Sequence, residues 1–176
     1  RVKSLSADPD GNIFTATFGG GIQALIDNTF QSIPSDEEEG NFPQSILVDT
    51  EQRIWAGTLE HGLFQKAKNS ATFAHQKNVI AMDIRSIFQD TSGAVWIGAK
   101  DIIHRISDNT WNTLTLPSDI ESTITSFAQK PGSSETYIGS STSGLFRSDG
   151  IKIYRESFDD RFDSEGISSL LFLNDE

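Results

Sequence analysis

Short stretches in which apolar residues alternate with small or polar ones recur along the whole chain. Turn-forming residues bound each stretch, and the four clearest are IFTATF, IWAGTL, VWIGA and TYIGSS. Short segments rich in β-branched and aromatic residues are typical of β-strands. No segment has a sustained 3.6-residue periodicity with capping residues, so the pattern predicts an all-β protein.

The four stretches lie in register with one another along the chain. Their aromatic residues, Phe14, Trp55, Trp96 and Tyr137, follow at intervals of 41 residues. Serines align as well, at Ser4, Ser45, Ser86 and Ser126, and a glycine follows the aromatic residue by two places at Gly57, Gly98 and Gly139. A fixed period of about 40 residues indicates an internal repeat.

Each repeat contains four predicted strands. Asp8 and Gly11, like Asp90 and Gly93, stand three apart before the second strand, as in a type I turn. The loop between strands two and three ends in a glycine in repeats one, two and four. In repeat two, Gln52 takes the place of the turn glycine, and the loop of repeat three is one residue shorter.

Four antiparallel strands per repeat predict the blades of a β-propeller. We expect one propeller segment over 1–176, with blades at about 1–42, 43–81, 82–121 and 122–164 and the first strand of a fifth within 165–176. Stacking of neighbouring blades would bury their faces, so we expect the four aligned aromatic residues to lie between blades. An open arc would leave its terminal faces exposed, which favours part of a larger propeller over a closed ring of four blades.

The stretch FGGGIQA matches a dinucleotide-binding fingerprint, but the repeat explains it differently. A dinucleotide-binding loop opens a helix, whereas here a turn signal follows Gly21 by only seven residues and another strand comes next. We therefore interpret the stretch as the loop between strands two and three, with Gly21 at a position that needs positive φ.

Composition excludes several classes of partner. The formal charge of −11 argues against nucleic acid and anionic membrane surfaces. No apolar run approaches the ~18 residues of a membrane helix, so we expect no direct membrane insertion. The chain begins at Arg1 without a signal segment, which we interpret as an excerpt or a processed product. The acidic runs at 35–40 and 159–166 are interpreted as solvated loops.

The sequence predicts no catalytic residues, no metal site and no cofactor. The histidines His61, His75 and His104 fall at unlike places in their repeats, and there is neither a Cys residue nor a zinc-protease motif. No nucleophile elbow is present, and the acidic run 159–166 lacks the alternating ligands of a calcium loop. We therefore expect no intrinsic enzyme activity.

The best candidate for a binding surface is the end of the propeller that carries the loops between strands two and three. The connections between blades reach the same end, and loops carry recognition more often than strands do. An aromatic residue, cations and carboxylates there could hold a small polar ligand. The candidate residues are Phe18, Glu60, His61, Lys100, Asp101 and Arg161, with Phe42 and Asn78 nearby.

The aligned repeats resemble the two-component regulator propeller repeat. The shared pattern runs S-[LI]-x-x-D-x-x-G-x-[IV]-[FW]-x-[AG]-T-x-x-x-G-[IL], with its threonine at Thr17 and Thr58, replaced by Ala99 and Ser140 in repeats three and four. The resemblance implies a propeller of about seven blades in the periplasmic or extracytoplasmic sensor of a bacterial histidine kinase, hybrid regulator or diguanylate cyclase. It also implies a neighbouring propeller or β-sandwich domain.

The residues and the resemblance together favour a non-enzymatic sensor module. It would bind a small polar ligand, such as a carbohydrate, or a partner domain, and it could self-associate through exposed blade faces. Two alternatives stay open, namely a fragment of a propeller glycosidase or lyase and a structural module for protein interaction. Two carboxylates ~5–10 Å apart in an axial pocket would favour the enzyme.

Overall fold

A computed structural model describes residues 1–35, 42–79, 81–157 and 165–172. Over these residues the chain forms sixteen strands in four antiparallel sheets of four, and no helix. This confirms the predicted all-β fold with four blades. The acidic runs lie largely outside the described residues, and residues 165–172, where a further strand was expected, are described without regular structure.

Each sheet follows chain order from its first to its fourth strand. Sheet 1 comprises β1 (Val2–Ala7), β2 (Ile13–Thr17), β3 (Gly21–Ile26) and β4 (Thr29–Ile33). Sheet 2 comprises β5 (Pro43–Val48), β6 (Ile54–Thr58), β7 (Leu63–Lys66) and β8 (Ala74–His75). Sheet 3 comprises β9 (Ser86–Gln89), β10 (Val95–Gly98), β11 (Ile102–Ser107) and β12 (Thr110–Thr115). Sheet 4 comprises β13 (Ile124–Gln129), β14 (Thr136–Ser140), β15 (Leu145–Ser148) and β16 (Ile153–Glu156).

The chain divides into two compact units, Arg1–Ile87 and Phe88–Glu176. In the first unit, one face of sheet 1 packs on one face of sheet 2. Sheet 1 contributes Phe14, Ala16, Ile22 and Ala24 to this core, and sheet 2 contributes Ile46, Ile54, Ala56, Phe64 and Phe73. Side chains alternate across a strand, so each sheet buries every second residue of its inner strands here.

Serine side chains link the first strands of the two sheets. Ser4 Oγ accepts a hydrogen bond from the Ile46 N–H at 3.3 Å, and Ser6 Oγ accepts one from the Val48 N–H at 2.9 Å. The aligned serine of sheet 2, Ser45, lies opposite Gly57 in the strand register and donates to the Ile84 carbonyl at 3.2 Å. In repeats one and two, the aligned serine therefore satisfies a backbone group of the following repeat.

The face of sheet 1 that points away from sheet 2 carries exposed apolar side chains. Leu5 and Phe30 are each 62% exposed and Ile13 is 38% exposed. Their counterparts one repeat later, Ile46, Phe73 and Ile54, are all buried in the core between sheets 1 and 2. The outward face of sheet 1 thus has the residue pattern of a packed blade face.

In the second unit, sheets 3 and 4 pack through aromatic residues. Trp96 is 1% exposed, and its ring centroid lies 6.1 Å from that of Phe127 on β13. Ile103, Ile138 and Phe146 complete the centre of this core. Among the other aligned aromatic residues, Phe14 and Trp55 are buried, whereas Tyr137 is half-buried with its ring centroid 5.1 Å from that of Phe172.

The turn before β10 is tied to Trp96 by the carboxylate of Asp90. Asp90 Oδ1 accepts the N–H groups of Ser92 and Ala94 at 2.9 and 3.0 Å, and Oδ2 accepts the indole N–H of Trp96 at 2.8 Å. The guanidinium of Arg105 lies 5.4 Å from the centroid of the Trp96 ring. In this way one carboxylate fixes both the turn and the orientation of the buried indole.

The same arrangement recurs in the second repeat. Asp49 Oδ2 accepts the indole N–H of Trp55 at 2.8 Å and the Nε–H of Arg53 at 2.6 Å. The guanidinium of Arg53 lies 5.3 Å from the centroid of the Trp55 ring. The recurrence explains why the aspartate and the tryptophan keep a constant spacing in these two repeats.

Replacement of Trp96 by Ala should lower the free energy of unfolding by ~3–5 kcal/mol, because the change empties a packed position and removes the indole donor from Asp90 Oδ2. Chemical denaturation monitored by circular dichroism measures the loss. Trp111→Ala is the matched control, since this indole is only partly buried, and we expect a clearly smaller loss. Equal losses at the two positions would contradict the described packing.

The pH dependence of stability should reveal the charge on Asp90. Burial on its own would raise the pKa of Asp90, but hydrogen bonds from Ser92, Trp96 and the Ala94 N–H, together with the charge of Arg105, lower it below its ordinary value of 3.8. A lowered folded-state pKa stabilises the protein above pH 3.8, and this stabilisation is lost as pH falls through the folded-state value.

We therefore expect Asp90→Asn to lower stability by about 1–3 kcal/mol at neutral pH, because the amide nitrogen cannot accept the indole N–H. The difference from the native chain should shrink as the pH falls below about 4. Urea titrations at a series of pH values measure both effects. A difference that stays constant down to pH 2 would show that the charge of Asp90 does not contribute.

Gln52 lies in the left-handed region, with φ of 60°, where repeats one and three have Gly11 and Gly93 at 86° and 88°. A non-glycine residue in this region costs roughly 1–2 kcal/mol. Gln52→Gly should therefore stabilise the chain by about 0.5–1 kcal/mol after the entropy cost of glycine. The reverse change, Gly93→Ala, should destabilise it by about 1 kcal/mol, although a Cβ there meets no atom closer than 3.9 Å. Thermal unfolding measures both effects. Melting temperatures that change in the same direction in the two variants would contradict this account.

Candidate functional site

A hydroxyl group closes the loop between the second and third strands in three of the four sheets. In sheet 2, Thr58 Oγ1 donates to the Gly62 carbonyl at 2.8 Å and accepts from the His61 N–H at 3.0 Å. Thr17 donates to the Gly21 carbonyl and Ser140 to the Gly144 carbonyl in the same way. The three loop-ending glycines have φ between 66° and 74°, as expected for Gly21 from the sequence.

Sheet 3 closes its shorter loop without a hydroxyl. The Ala99 N–H donates to the Ile102 carbonyl at 3.0 Å, and Asp101 takes the left-handed conformation with φ of 58°. The missing threonine and the missing glycine of repeat three are thus parts of one change in loop length.

In three of the four sheets, a backbone hydrogen bond joins the end of the second strand to the start of the next repeat. The Ile84 N–H donates to the Thr58 carbonyl at 3.0 Å, the Ile124 N–H to the Ala99 carbonyl at 3.1 Å, and the Ile167 N–H to the Ser140 carbonyl at 2.8 Å. The aligned residue at the start of repeat two is Pro43, which has no N–H to donate. The joint between sheets 1 and 2 therefore lacks this bond.

A cleft of about 260 Å³ lies at this joint, at the loop end of the first unit. It is lined by Phe18, Phe42, Gln44, Leu59, Glu60 and His61. The rings of Phe18 and Phe42 meet edge to face with their centroids 6.1 Å apart, and their side chains are 56% and 45% exposed. We call this space the aromatic cleft. The ammonium of Lys3 also approaches Phe18, at 5.7 Å from the ring centroid.

A second cleft of about 350 Å³ adjoins the aromatic cleft and shares Glu60 and His61 with it. Its remaining lining is Gly62, His75, Lys77, Val79, Ala81 and Met82. The imidazole of His75 stacks on Phe64 with the ring centroids 4.9 Å apart, and Met82 is 67% exposed. We call this space the Met82 cleft.

In the second unit, hydrogen bonds fasten the loop end of sheets 3 and 4. Ser122 Oγ lies 3.2 Å from Ser141 Oγ and accepts the Thr142 N–H at 3.1 Å. Asp101 Oδ1 accepts the Ser122 N–H at 2.5 Å. At the joint of sheets 3 and 4, the residues that align with Phe18 and Phe42 are Lys100 and Thr123, and these two pair in an isolated bridge.

The structure brings together three of the six predicted ligand residues, namely Phe18, Glu60 and His61. Lys100 and Asp101 lie in the second unit, where Lys100 pairs with Thr123 in an isolated bridge and the carboxylate of Asp101 holds the Ser122 segment. Arg161 lies outside the described residues. The sequence interpretation did not include Gln44 and Leu59, which also line the cleft, although Leu59 aligns with Phe18 and could have been found by that alignment.

The described residues hold no group of three or more His, Asp or Glu side chains placed to bind a metal ion. His104, one of the three histidines, is buried in sheet 3 with Nδ1 3.1 Å from Thr113 Oγ1, and burial lowers its pKa. Of the described residues that line the aromatic cleft, Glu60 and His61 are the ones with titratable side chains.

No protein-family model and no curated protein matches the sequence. Solved structures do match it. The extracellular domain of BT4673 from B. thetaiotaomicron, described as a one-component system, has a TM-score of 0.78 at 18% identity, over 97% of this chain and 25% of that domain. The extracellular domain of the hybrid two-component system BT3049 from the same organism has a TM-score of 0.73 at 20% identity, over 94% of this chain and 23% of that domain.

An enzyme also shares the fold. Virginiamycin B lyase from Staphylococcus aureus has a TM-score of 0.68 at 12% identity, over 87% of this chain and 54% of the lyase. At these identities the likeness shows the fold alone, and it confirms the predicted likeness to two-component sensor propellers at that level. The chain spans about a quarter of the length of the two sensor domains.

The rigidity of the aromatic cleft should depend on Thr58. Thr58→Val removes a buried hydroxyl that both donates and accepts, so we expect a loss of about 1–3 kcal/mol in unfolding free energy and faster amide exchange at His61. Phe18→Ala should change stability by less than about 1 kcal/mol, because the ring is mostly exposed. Hydrogen exchange followed by mass spectrometry measures the exchange rate at His61 and the stability of both variants. Unchanged exchange at His61 in Thr58→Val would refute the role of the hydroxyl.

Proposed function

We propose that the chain is a segment of an extracytoplasmic sensor propeller and recognises a small polar ligand in the aromatic cleft. The observation that carries the proposal is the cleft itself, which opens at the joint where Pro43 replaces a hydrogen-bonding residue. Exposed aromatic rings beside a carboxylate, an imidazole and an amide offer stacking together with directed hydrogen bonds. Ligand pockets commonly combine these two kinds of lining.

The solved structures support the sensor role. BT4673 and BT3049 are described as signalling systems, and their matching parts are extracellular domains. This comparison supports an extracytoplasmic location. A link to a kinase or cyclase output, which the resemblance of the repeats implies, is part of the proposal. In the described residues there is no helix of the length and apolarity that a membrane crossing requires.

The alternative is a propeller glycosidase or lyase, and the fold shared with virginiamycin B lyase keeps this alternative open. Among the described residues that line the aromatic cleft, Glu60 and His61 have side chains able to transfer protons. Glycosidases generally need a second carboxylate at a defined distance from the first, and the described lining contains the single carboxylate of Glu60. The lining thus supports binding better than hydrolysis.

Thermal-shift measurements test the proposal on the intact 176-residue chain. The panel comprises monosaccharides, oligosaccharides, polyols, amino acids and dicarboxylates. A ligand at 100 times its dissociation constant should stabilise the fold by about 2.7 kcal/mol, which raises the melting temperature by several degrees.

Phe18→Ala should abolish the shift, whereas Phe30→Ala should retain it. Phe30 is the matched control because its side chain is as exposed as that of Phe18 and lies on the outward face of sheet 1. No shift with any member of the panel, or a shift unaffected by Phe18→Ala, would refute the proposal. Turnover of a glycan that Glu60→Gln abolishes would establish the enzyme instead.

A further inference from the structure

A third cleft, of about 350 Å³, opens between sheets 1 and 2. The turns before β2 and β6 line it with Asp8, Asn12 and Gln52, so we call it the turn-end cleft. The strands run from these turns to the loop end of the unit, and the turn-end cleft shares no lining residue with the aromatic cleft. It is therefore a separate space.

In the second unit, side chains of sheet 3 fill the equivalent space. The guanidinium of Arg105 lies 5.4 Å from the centroid of the Trp96 ring. A Cβ at Gly150, in the loop between β15 and β16, would lie 3.6 Å from Arg105 Nε. The arginine therefore covers the indole and reaches the outer loop of the next sheet.

The first unit has smaller residues at both of these positions. Phe14 aligns with Trp96 in the repeat. Ala24 lies opposite Phe14 in the strand register and so takes the place of Arg105. The turn-end cleft therefore corresponds to the space that an indole and a guanidinium occupy in the second unit.

The floor of the turn-end cleft is apolar. Phe14 and Ile54 are 7% and 5% exposed and belong to the core between sheets 1 and 2, and Ile26 and Val48 pack against that core. Apolar side chains that border a void lack contacts on one side, so a flat apolar ring gains contacts by entering it. The volume lies within the range of ~300–1,000 Å³ that is usual for small-ligand pockets.

Two lysines line the same cleft. Lys66 lies opposite Ile54 in the register of β6 and β7, so its side chain leaves sheet 2 on the face that packs on sheet 1. Lys68 follows in the loop before β8. In the part of the chain that the structure describes, the ammonium of Lys66 has one long hydrogen bond, of 3.4 Å to the Ala67 carbonyl, and that of Lys68 has none. Both ammonium groups can therefore bind an anion.

The carboxylate of Asp8, the one carboxylate in the described lining, is engaged by its own turn. Its Oδ1 accepts the N–H groups of Asp10 and Asn12 at 3.0 and 2.9 Å, and its Oδ2 accepts the side-chain amide of Asn12 at 2.8 Å. A cationic ligand would have to compete with these bonds, whereas an anionic ligand gains charge-assisted bonds from two lysines. The cleft thus favours a negatively charged ligand.

We propose that the turn-end cleft is a second binding site and takes an aromatic carboxylate. The ring packs on Phe14 between sheets 1 and 2, and the carboxylate bonds the ammonium groups of Lys66 and Lys68. This site goes beyond the proposed function, which concerns the aromatic cleft at the other end of the unit.

Calorimetric titration of the intact 176-residue chain with phenylacetate, indole-3-acetate and 2-naphthoate tests the proposal. The uncharged amides of the three acids and inorganic phosphate are the control ligands. We expect at least one acid to bind, and its amide to bind at least about tenfold more weakly, because the amide lacks the charge that the lysines recognise. Added salt should weaken binding of the acid, and phosphate should not displace it.

Two variants address the two parts of the site. Phe14→Trp places in the cleft the residue that repeats two and three have there, and it should weaken binding at least about tenfold by occupying the space of the ring. Lys66→Gln should weaken binding by about tenfold, because it removes one of the two charges. The matched control is Lys130→Gln, at an exposed lysine of the second unit, which should leave the affinity unchanged. Far-ultraviolet circular dichroism and thermal unfolding verify that each variant folds.

The proposal is overturned if none of the acids binds, if acid and amide bind equally, or if phosphate displaces the acid. Full affinity in Lys66→Gln, or in a folded Phe14→Trp variant, would also overturn it. Phe18→Ala should leave binding of the acid unchanged, and a loss in that variant would place the ligand in the aromatic cleft instead. The proposed function fails separately, when no member of the thermal-shift panel binds in a manner that depends on Phe18.

Discussion

The backbone hydrogen bond between successive repeats is the interaction on which the loop end depends. It runs from the first residue of a repeat to the carbonyl that ends the second strand of the repeat before, as from Ile84 to Thr58. The close approach it requires explains the aligned glycine, because a Cβ at Gly57 would collide with the Ile84 side chain and come within 2.6 Å of Ser45 Oγ. Gly139 is in the same position relative to Ile167 and Ser126. Where the bond is present, the loop end is fastened to the following repeat.

At the joint between sheets 1 and 2, two positions differ from those at the other joints. Ala16 replaces the glycine, and Pro43 replaces the hydrogen-bonding residue of the next repeat. The structure places the aromatic cleft at this joint, whereas the equivalent joint of the second unit is fastened by the Lys100–Thr123 bridge and by the hydrogen bond from the Ser122 N–H to Asp101. A repeat protein can acquire a binding site in this way, by loss of one repeated contact while its strands stay unchanged.

Much of the fold could be predicted from the sequence, because each repeat encodes the same local contacts. Asp90 and Trp96 keep the spacing of Asp49 and Trp55, since in each repeat one carboxylate bonds both the turn and the indole. Gln52 shows that the turn forms without its glycine, because tertiary packing tolerates the strained conformation.

The candidate site could be predicted only in part. Alignment showed that Phe18, Glu60 and His61 belong to loops at one end, since loop position follows from strand order. The contacts that Lys100 and Asp101 make within the second unit could not be predicted, because they depend on which hydroxyl and carboxylate groups find partners within each loop. Asp101 illustrates this, since its carboxylate bonds the Ser122 N–H, a contact between residues 21 positions apart. The Met82 cleft likewise depends on side-chain packing that no motif records.

Fluorine NMR of the chain labelled with fluorophenylalanine tests the central claim most directly, which is that ligand recognition occurs in the aromatic cleft. The chain has 12 phenylalanines, spread over both units, and each reports on its own surroundings. Single Phe→Tyr changes assign the resonances. Addition of the tightest-binding ligand should move the signals of Phe18 and Phe42 and leave those of Phe88, Phe127 and Phe146 in place. Shifts confined to the second unit, with Phe18 and Phe42 unmoved, would contradict the account.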